Sequence, residues 1–331
     1  MTRIRGDIGK YLTSRRLRKA VHISREPELR VQKLGGSHDV YLVDDVHSHK
    51  KFILKSFQEH GKSTSKSVGY MKKEYKRLIQ AEHAVHQEDW VRVVKPYLKS
   101  DEGDFLAVRY MRGKSLGSYI RKTMEGGGGA DLYEKLTLLA GFFGILHKRT
   151  EKHYHISPTS ISDELKKHAR QAGKRGAMTH EEQKQMERLI DRSCSYHTIK
   201  NAKKSLVHGD ANPSNFLYRG NRLQVIDMER SGYRDPVYDL GMMAGELCHF
   251  AMRYGHDPYK ADPFIGHLYW TYAGNFRDQP GTFIRLTKRN PLYMANSLFR
   301  IARHEYFSKE YKRRLAYQAG ECLKSLKKFA K

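Results

Sequence analysis

Apolar positions follow two periods along the chain. Over residues 28–31, 40–43 and 51–57, short runs rich in Val, Ile, Leu, Phe and Tyr are separated by polar turns at 33–39 and 44–49, which predicts an antiparallel meander. A short basic helix is expected over 5–20 and a longer helix over 66–84. Strands follow over 91–98 and 104–110, joined by the turn Ser100-Asp101-Glu102-Gly103. Five strands with one main inserted helix make a small α+β lobe over residues 1–108.

After Arg109 the period becomes helical. Residues 115–124 form a short amphipathic helix, and the glycine run 126–129 is expected to be a flexible link. Leu132, Leu136, Leu139, Phe143 and Leu146 recur at spacings of four and three, so they share one face of a long core helix. The polar stretch 151–205 holds one clear helix start, where Thr179 and Glu182 have capping-box spacing. Val207, 216–218 and 223–226 read as short strands around polar loops, and 238–331 is mostly helical. A second, larger, mainly helical lobe over 109–331 is the expectation, and the chain has no internal repeat.

Composition narrows the class. In 331 residues, 39% hydrophobic and 11% aromatic content supplies enough apolar surface for two cores and excludes global disorder. The 62 Lys+Arg against 36 Asp+Glu give a formal net charge of +26, and the excess is uneven, ten basic residues to three acids over 1–34 and thirteen to three over 285–331. Such charge attracts polyanions (nucleic acid, an anionic surface, phosphorylated ligands) without choosing among them. The first twenty residues carry charges throughout and lack the apolar stretch of a secretory signal. The longest near-apolar run, 136–146, is too short for a transmembrane segment. Cys194, Cys248 and Cys322 are far apart and odd in number, which fits a reducing cytoplasm without a disulfide framework.

The sharpest chemical feature is His208-Gly209-Asp210-Ala211-Asn212-Pro213-Ser214-Asn215, followed by Asp227 at the end of an apolar strand. One loop offers a carboxylate and, five residues on, a carboxamide; a hairpin then returns a second carboxylate. Hard cations such as Mg²⁺ take oxygen ligands of this kind together with substrate phosphates. Asn215 and Asp227 can serve the metal, which leaves Asp210 for the proton of an attacking hydroxyl.

This HxDxxxxN pattern, the following Ile226-Asp227-Met228-Glu229 and then Asp235 to Leu240, resembles the aminoglycoside phosphotransferase and choline kinase-like family, whose members share the bilobal protein-kinase-like fold. The resemblance runs over about residues 28–250. It implies ATP or GTP as cosubstrate and Mg²⁺ (or Mn²⁺) as cofactor. Lys55 would hold the α- and β-phosphates, Glu74 would pair with it, and Gly35, Gly36 and Ser37 would form the phosphate loop, although only two adjacent glycines stand there. Val108, Arg109, Tyr110 and Met111 would face the base. His208 and Asp239 would support the catalytic loop. The His47-Ser48-His49 and His153-Tyr154-His155 pairs read as surface, and the Tyr/Trp cluster over 254–276 as helix packing. HRD, DFG and APE triplets are missing, which argues against a protein kinase. Basic residues outnumber acids over 151–205, the acceptor side of this fold, so a polycationic acceptor fits poorly. Neutral or anionic small molecules fit better: a sugar, a polyol, a phosphorylated metabolite or a lipid precursor. RNA or protein as acceptor, or a non-catalytic nucleotide-binding scaffold, are the alternatives.

Overall fold

A computed structural model describes residues 9, 11–12, 14–35, 39–58, 64–101, 105–195 and 203–329. The chain divides into two compact units, Met1–Gly113 with Gln224–Arg230, and Lys114–Leu223 with Ser231–Lys331.

In the first unit, helix α1 (Arg15–Val21) precedes strands β1 (Leu29–Leu34), β2 (Asp39–Asp45) and β3 (Lys50–Ser56). Helix α2 (Ser65–Val85), β4 (Val91–Val93), β5 (Pro96–Lys99) and β6 (Phe105–Arg109) follow. The sheet order is β1-β2-β3-β6-β5, antiparallel throughout. Val43, Phe52, Leu54, Phe105 and Ala107 cluster with Leu17 and Val21 of α1. The stretch expected as one strand over 91–98 is two, because Pro96 has no N–H to continue a ladder and opens a strand instead.

The second unit begins with β7 (Lys114–Ser115), α3 (Leu116–Met124) and α4 (Ala130–Arg149). The five apolar residues picked out by periodicity on α4 are all fully buried. The glycine run before it is a bonded turn, not a loose link: Gly126 N–H donates to Thr123 and Gly127 N–H to Lys122, and Gly126 takes a φ of 101° that glycine alone tolerates well. Next come β8 (Lys152–His155), α5 (Pro158–Lys174) and α6 (His180–Cys194). The capping box at Thr179 and Glu182 is formed at the start of α6.

Strand β9 (Lys203–Val207) lies between β12 (Gly232–Arg234) and β8 in an antiparallel sheet. The loop after β9 leads through a 3₁₀ turn, Pro213–Asn215, into β10 (Phe216–Arg219), which pairs with β7. Strand β11 (Arg222–Val225) closes that hairpin. Helices α7 (Val237–Tyr254), α8 (Asp262–Ala273), α9 (Gln279–Ala302) and α10 (Lys309–Ser325) complete the chain. Gly241 and Gly245, one turn apart on α7, lie against Tyr293 and Ser297, one turn apart on α9; a Cβ on either glycine would collide with that helix. The two helices therefore approach closely, which fixes the side chains they carry. In the aromatic cluster Tyr269 and Tyr272 are core, whereas Tyr259 and Trp270 are exposed.

Candidate active site

Alternation along β3 buries Phe52 and Leu54 on one face and turns Lys55 to the other. On α2 the buried stripe runs Met71, Glu74, Leu78, Ala81, Val85, so Glu74 occupies a place that helical spacing reserves for an apolar side chain. A carboxylate there needs a cation. Lys55 supplies it: its Nζ lies 2.7 Å from Glu74 Oε1 and 2.7 Å from Asp227 Oδ1. Burial alone would pull the Lys55 ammonium down, but the charges of Glu74 and Asp227 outweigh it and hold its pKa raised. Asp227 follows β11 with a φ of 62°, a left-handed turn that takes the chain out of the strand at that residue. All three groups lie in the first unit.

Gly35 is exposed after β1, and Gly36 and Ser37 lie outside the described residues. At the end of β6, Arg109 N–H donates to the Lys95 carbonyl over 2.9 Å and its side chain is exposed. Met111 is buried, and the Arg112 guanidinium lies 5.8 Å from the centre of the Tyr110 ring.

The second unit builds the His208–Asn215 loop. Asp239, in the first turn of α7, is fully buried, and its carboxylate accepts from the backbone N–H of His208 at 2.6 Å and of Gly209 at 2.9 Å. His147 at the end of α4 completes its shell, with Nε2 at 3.2 Å. Gly209 has a φ of 80°, a conformation that glycine allows without strain. His208 is also fully buried, and its Nδ1 accepts the N–H of Asp210 at 3.3 Å, so it shapes the loop from within. Asn212 caps the 3₁₀ turn by accepting from Ser214 N–H. Asn215 Nδ2 donates to the Asp210 carbonyl at 3.0 Å, which commits the amide nitrogen to the loop and leaves Oδ1 as the acceptor end of that side chain.

Three groups that carry no motif stand out: Arg300 and Glu246 act on Asp210 of this loop, and His168 lies within reach of the Arg300 charge. Arg300 of α9 places Nη2 2.6 Å from Asp210 Oδ1. Glu246 of α7 is buried, and burial pushes its carboxyl up to about 8 against the pull of Arg300. His168 of α5 is held down at about 4 by burial while Nδ1 bonds Asn296 Oδ1 at 2.6 Å. The sequence does hint at His147, a polar residue directly beside the apolar face of α4; it holds no such hint for Arg300. Among the described residues no group of three His, Cys, Asp or Glu could hold a metal ion. His47 and His49 are exposed. No described helix is long and apolar enough to cross a membrane.

Residues 29–262 match the phosphotransferase enzyme family, APH. No curated protein matches the chain in sequence. Among solved structures the chain is similar to an ethanolamine kinase of Plasmodium vivax, 12% identical over 97% of this chain and 89% of that one, with a TM-score of 0.56. It is similar to a choline kinase from Cryptosporidium parvum, 13% identical over 91% of this chain and 90% of that one, TM-score 0.58. The GDP complex of aminoglycoside 2'-phosphotransferase-IIIa is 14% identical over 98% of this chain and 99% of that one, TM-score 0.56. These likenesses give the protein-kinase-like fold, and the match over residues 29–262 makes the chain a member of the phosphotransferase enzyme family and a kinase.

Proposed function

We propose that this kinase transfers the γ-phosphoryl group of ATP or GTP to a hydroxyl of a small neutral or anionic metabolite, a sugar, polyol or lipid precursor. The observation that carries the reading is Lys55, held at 2.7 Å from both Glu74 and Asp227. A lysine fixed in this way is a ready point charge for the α- and β-phosphates. The family match and the GDP printed for one similar structure support a nucleotide cosubstrate.

Asp227 and Asn215 would hold Mg²⁺ (or Mn²⁺), whose contribution there is to neutralise phosphate charge; one carboxylate and one carboxamide oxygen are donors of the hard kind such a cation takes. Asp210 orients the acceptor hydroxyl and takes its proton as the acceptor oxygen bonds to the γ-phosphorus and the nucleoside diphosphate leaves. Asp239 keeps that carboxylate in place by holding the backbone on its N-terminal side. Val108 to Met111 would contact the base, and Gly35 with Gly36 and Ser37 the phosphates.

The similar structures named for ethanolamine and choline kinases support a hydroxyl as acceptor group, although both of those alcohols carry a positive charge. The basic excess over 151–205 favours acceptors without positive charge. The test is incubation with labelled ATP or GTP, pooled small metabolites and total RNA, with Asp227→Ala as the blank. Label in the small-molecule fraction supports the reading; label on RNA alone, on protein alone, or equally in the blank overturns it.

A further inference from the structure

A guanidinium carries five N–H donors in a planar fork, and a buried one normally spends most of them. Arg300 does not. Nη2 gives one bond to Asp210 Oδ1 at 2.6 Å, Nη1 meets only Met242 Sδ at 4.0 Å, and Nε is buried with no hydrogen-bond partner among the described residues. The side chain keeps 12% of its surface. Glu246, buried on the neighbouring helix and near enough to feel the Arg300 charge, forms no ion pair with it within 4.0 Å among the described residues. Just past the end of α9, Arg303 donates from Nη1 to Gln171 Oε1 at 3.0 Å and, with Arg300, adds a second positive charge that His168 feels. The other nearby carboxylate, Glu164, is already engaged by Arg234 at 2.5 Å and by the Tyr238 hydroxyl at 3.0 Å.

We infer that Arg300 is the specificity-determining residue of the acceptor side, and that its underused fork receives an oxyanion borne by the acceptor, a phosphorylated or carboxylated alcohol, while it disfavours alcohols that carry a cation. The inference rests on the reading of Asp210 as proton acceptor and narrows that reading to anionic acceptors. Its physical content is a competition. A guanidinium meets a two-oxygen anion through two parallel bonds but reaches Asp210 through one. An acceptor oxyanion thus draws Arg300 toward itself and loosens its hold on Asp210 Oδ1, the kind of oxygen that the acceptor hydroxyl needs. A cationic alcohol offers no such exchange and meets like charge beside the carboxylate it must approach.

The experiment is titration calorimetry of glycerol 3-phosphate, inorganic phosphate, glycerol and choline into the full chain, with a non-hydrolysable ATP analogue and Mg²⁺ present at saturation. Wild type should bind glycerol 3-phosphate more tightly than glycerol or choline. Arg300→Gln should weaken glycerol 3-phosphate at least tenfold, and Arg300→Lys should restore part of that loss. Asp210→Asn should bind the anion as tightly as wild type or several-fold more tightly, because it frees the guanidinium from its carboxylate; a merely structural ion pair predicts the opposite. If Arg300→Gln does not fold, Arg300→Lys and Asp210→Asn still decide. Glycerol 3-phosphate binding that is absent from wild type, unchanged in Arg300→Gln, weakened in Asp210→Asn, or weaker than choline binding overturns the inference. Failure of the Asp210 reading shows separately, as phosphoryl transfer that survives in Asp210→Asn, and needs no anion titration.

Discussion

Glu246→Gln keeps the shape of the side chain and removes its proton equilibrium, and the buried setting of that residue gives the change a defined pH profile. Burial raises the carboxyl from 4.5 to about 8 in the folded chain. The sign follows from linkage: between those values the folded protein keeps a proton that the unfolded chain has released, so the stability contribution is whole below about 4.5 and falls as pH rises, levelling above about 8. At one pKa unit per 1.36 kcal/mol, the wild-type penalty is about 1.4 kcal/mol at pH 5.5 and about 4 kcal/mol at pH 8. The carboxamide of the variant cannot ionise and avoids it. Glu246→Gln should therefore stabilise the second unit by a margin that grows by about 3 kcal/mol between pH 5.5 and 8. Urea unfolding at pH 5.5, 7 and 8 in a Trp90→Phe background measures this, since Trp270 on α8 then reports the second unit alone. A gain that is flat with pH, or a loss of stability, would mean that Glu246 is ionised in the fold and serves Arg300 as a charge partner.

Three further outcomes follow from the same packing. Asp239→Ala strands the buried N–H groups of His208 and Gly209 and should cost about 3–5 kcal/mol by urea unfolding, with transfer activity falling as the Asp210 loop loses its anchor. Lys55→Met and Glu74→Gln should show a coupling of about 1–3 kcal/mol in a double-mutant cycle, because Lys55→Met alone strands the buried Glu74 charge, Glu74→Gln alone leaves Lys55 only Asp227 as a partner, and both together leave no charge between positions 55 and 74. Gly241→Ala should lower stability by about 1–3 kcal/mol by forcing α7 from α9. By contrast Gly266→Ala, in open space within α8, should raise it by about 0.5–1 kcal/mol; the two thermal midpoints separate packing from propensity.

Legibility in the sequence tracks the range of the interaction. The stripe on α4 and the capping box at Thr179 are set by neighbours three and four residues apart, so periodicity finds both. The order of the first sheet is partly readable, because consecutive strands joined by short polar turns pair with each other. The break at Pro96 is visible as a residue, but an apolar run of ordinary strand length masks it. The Lys55–Glu74 pair is half legible: Glu74 interrupts an apolar stripe, yet nothing local says which cation answers it. Arg300 stands ninety positions beyond Asp210 and reaches it only because Gly241 and Gly245 let α9 lie tight against α7. That pair of glycines one turn apart is the one hint of a close helix crossing, and a basic residue among the many near the C-terminal end gives no sign that it faces inward. The glycine run before α4 misleads for a related reason: Gly favours flexibility as composition, but here its backbone bonds build a turn.

The whole functional reading turns on Asp210 taking the proton of an acceptor hydroxyl in phosphoryl transfer from a nucleotide. The decisive comparison is between wild type and Asp210→Asn for transfer of γ-label from ATP and GTP to the acceptor fraction identified in the metabolite screen, with nucleotide affinity measured on the same preparations. Transfer should be abolished in the variant while nucleotide affinity is largely kept. Transfer at the wild-type rate by Asp210→Asn would remove Asp210 from that role.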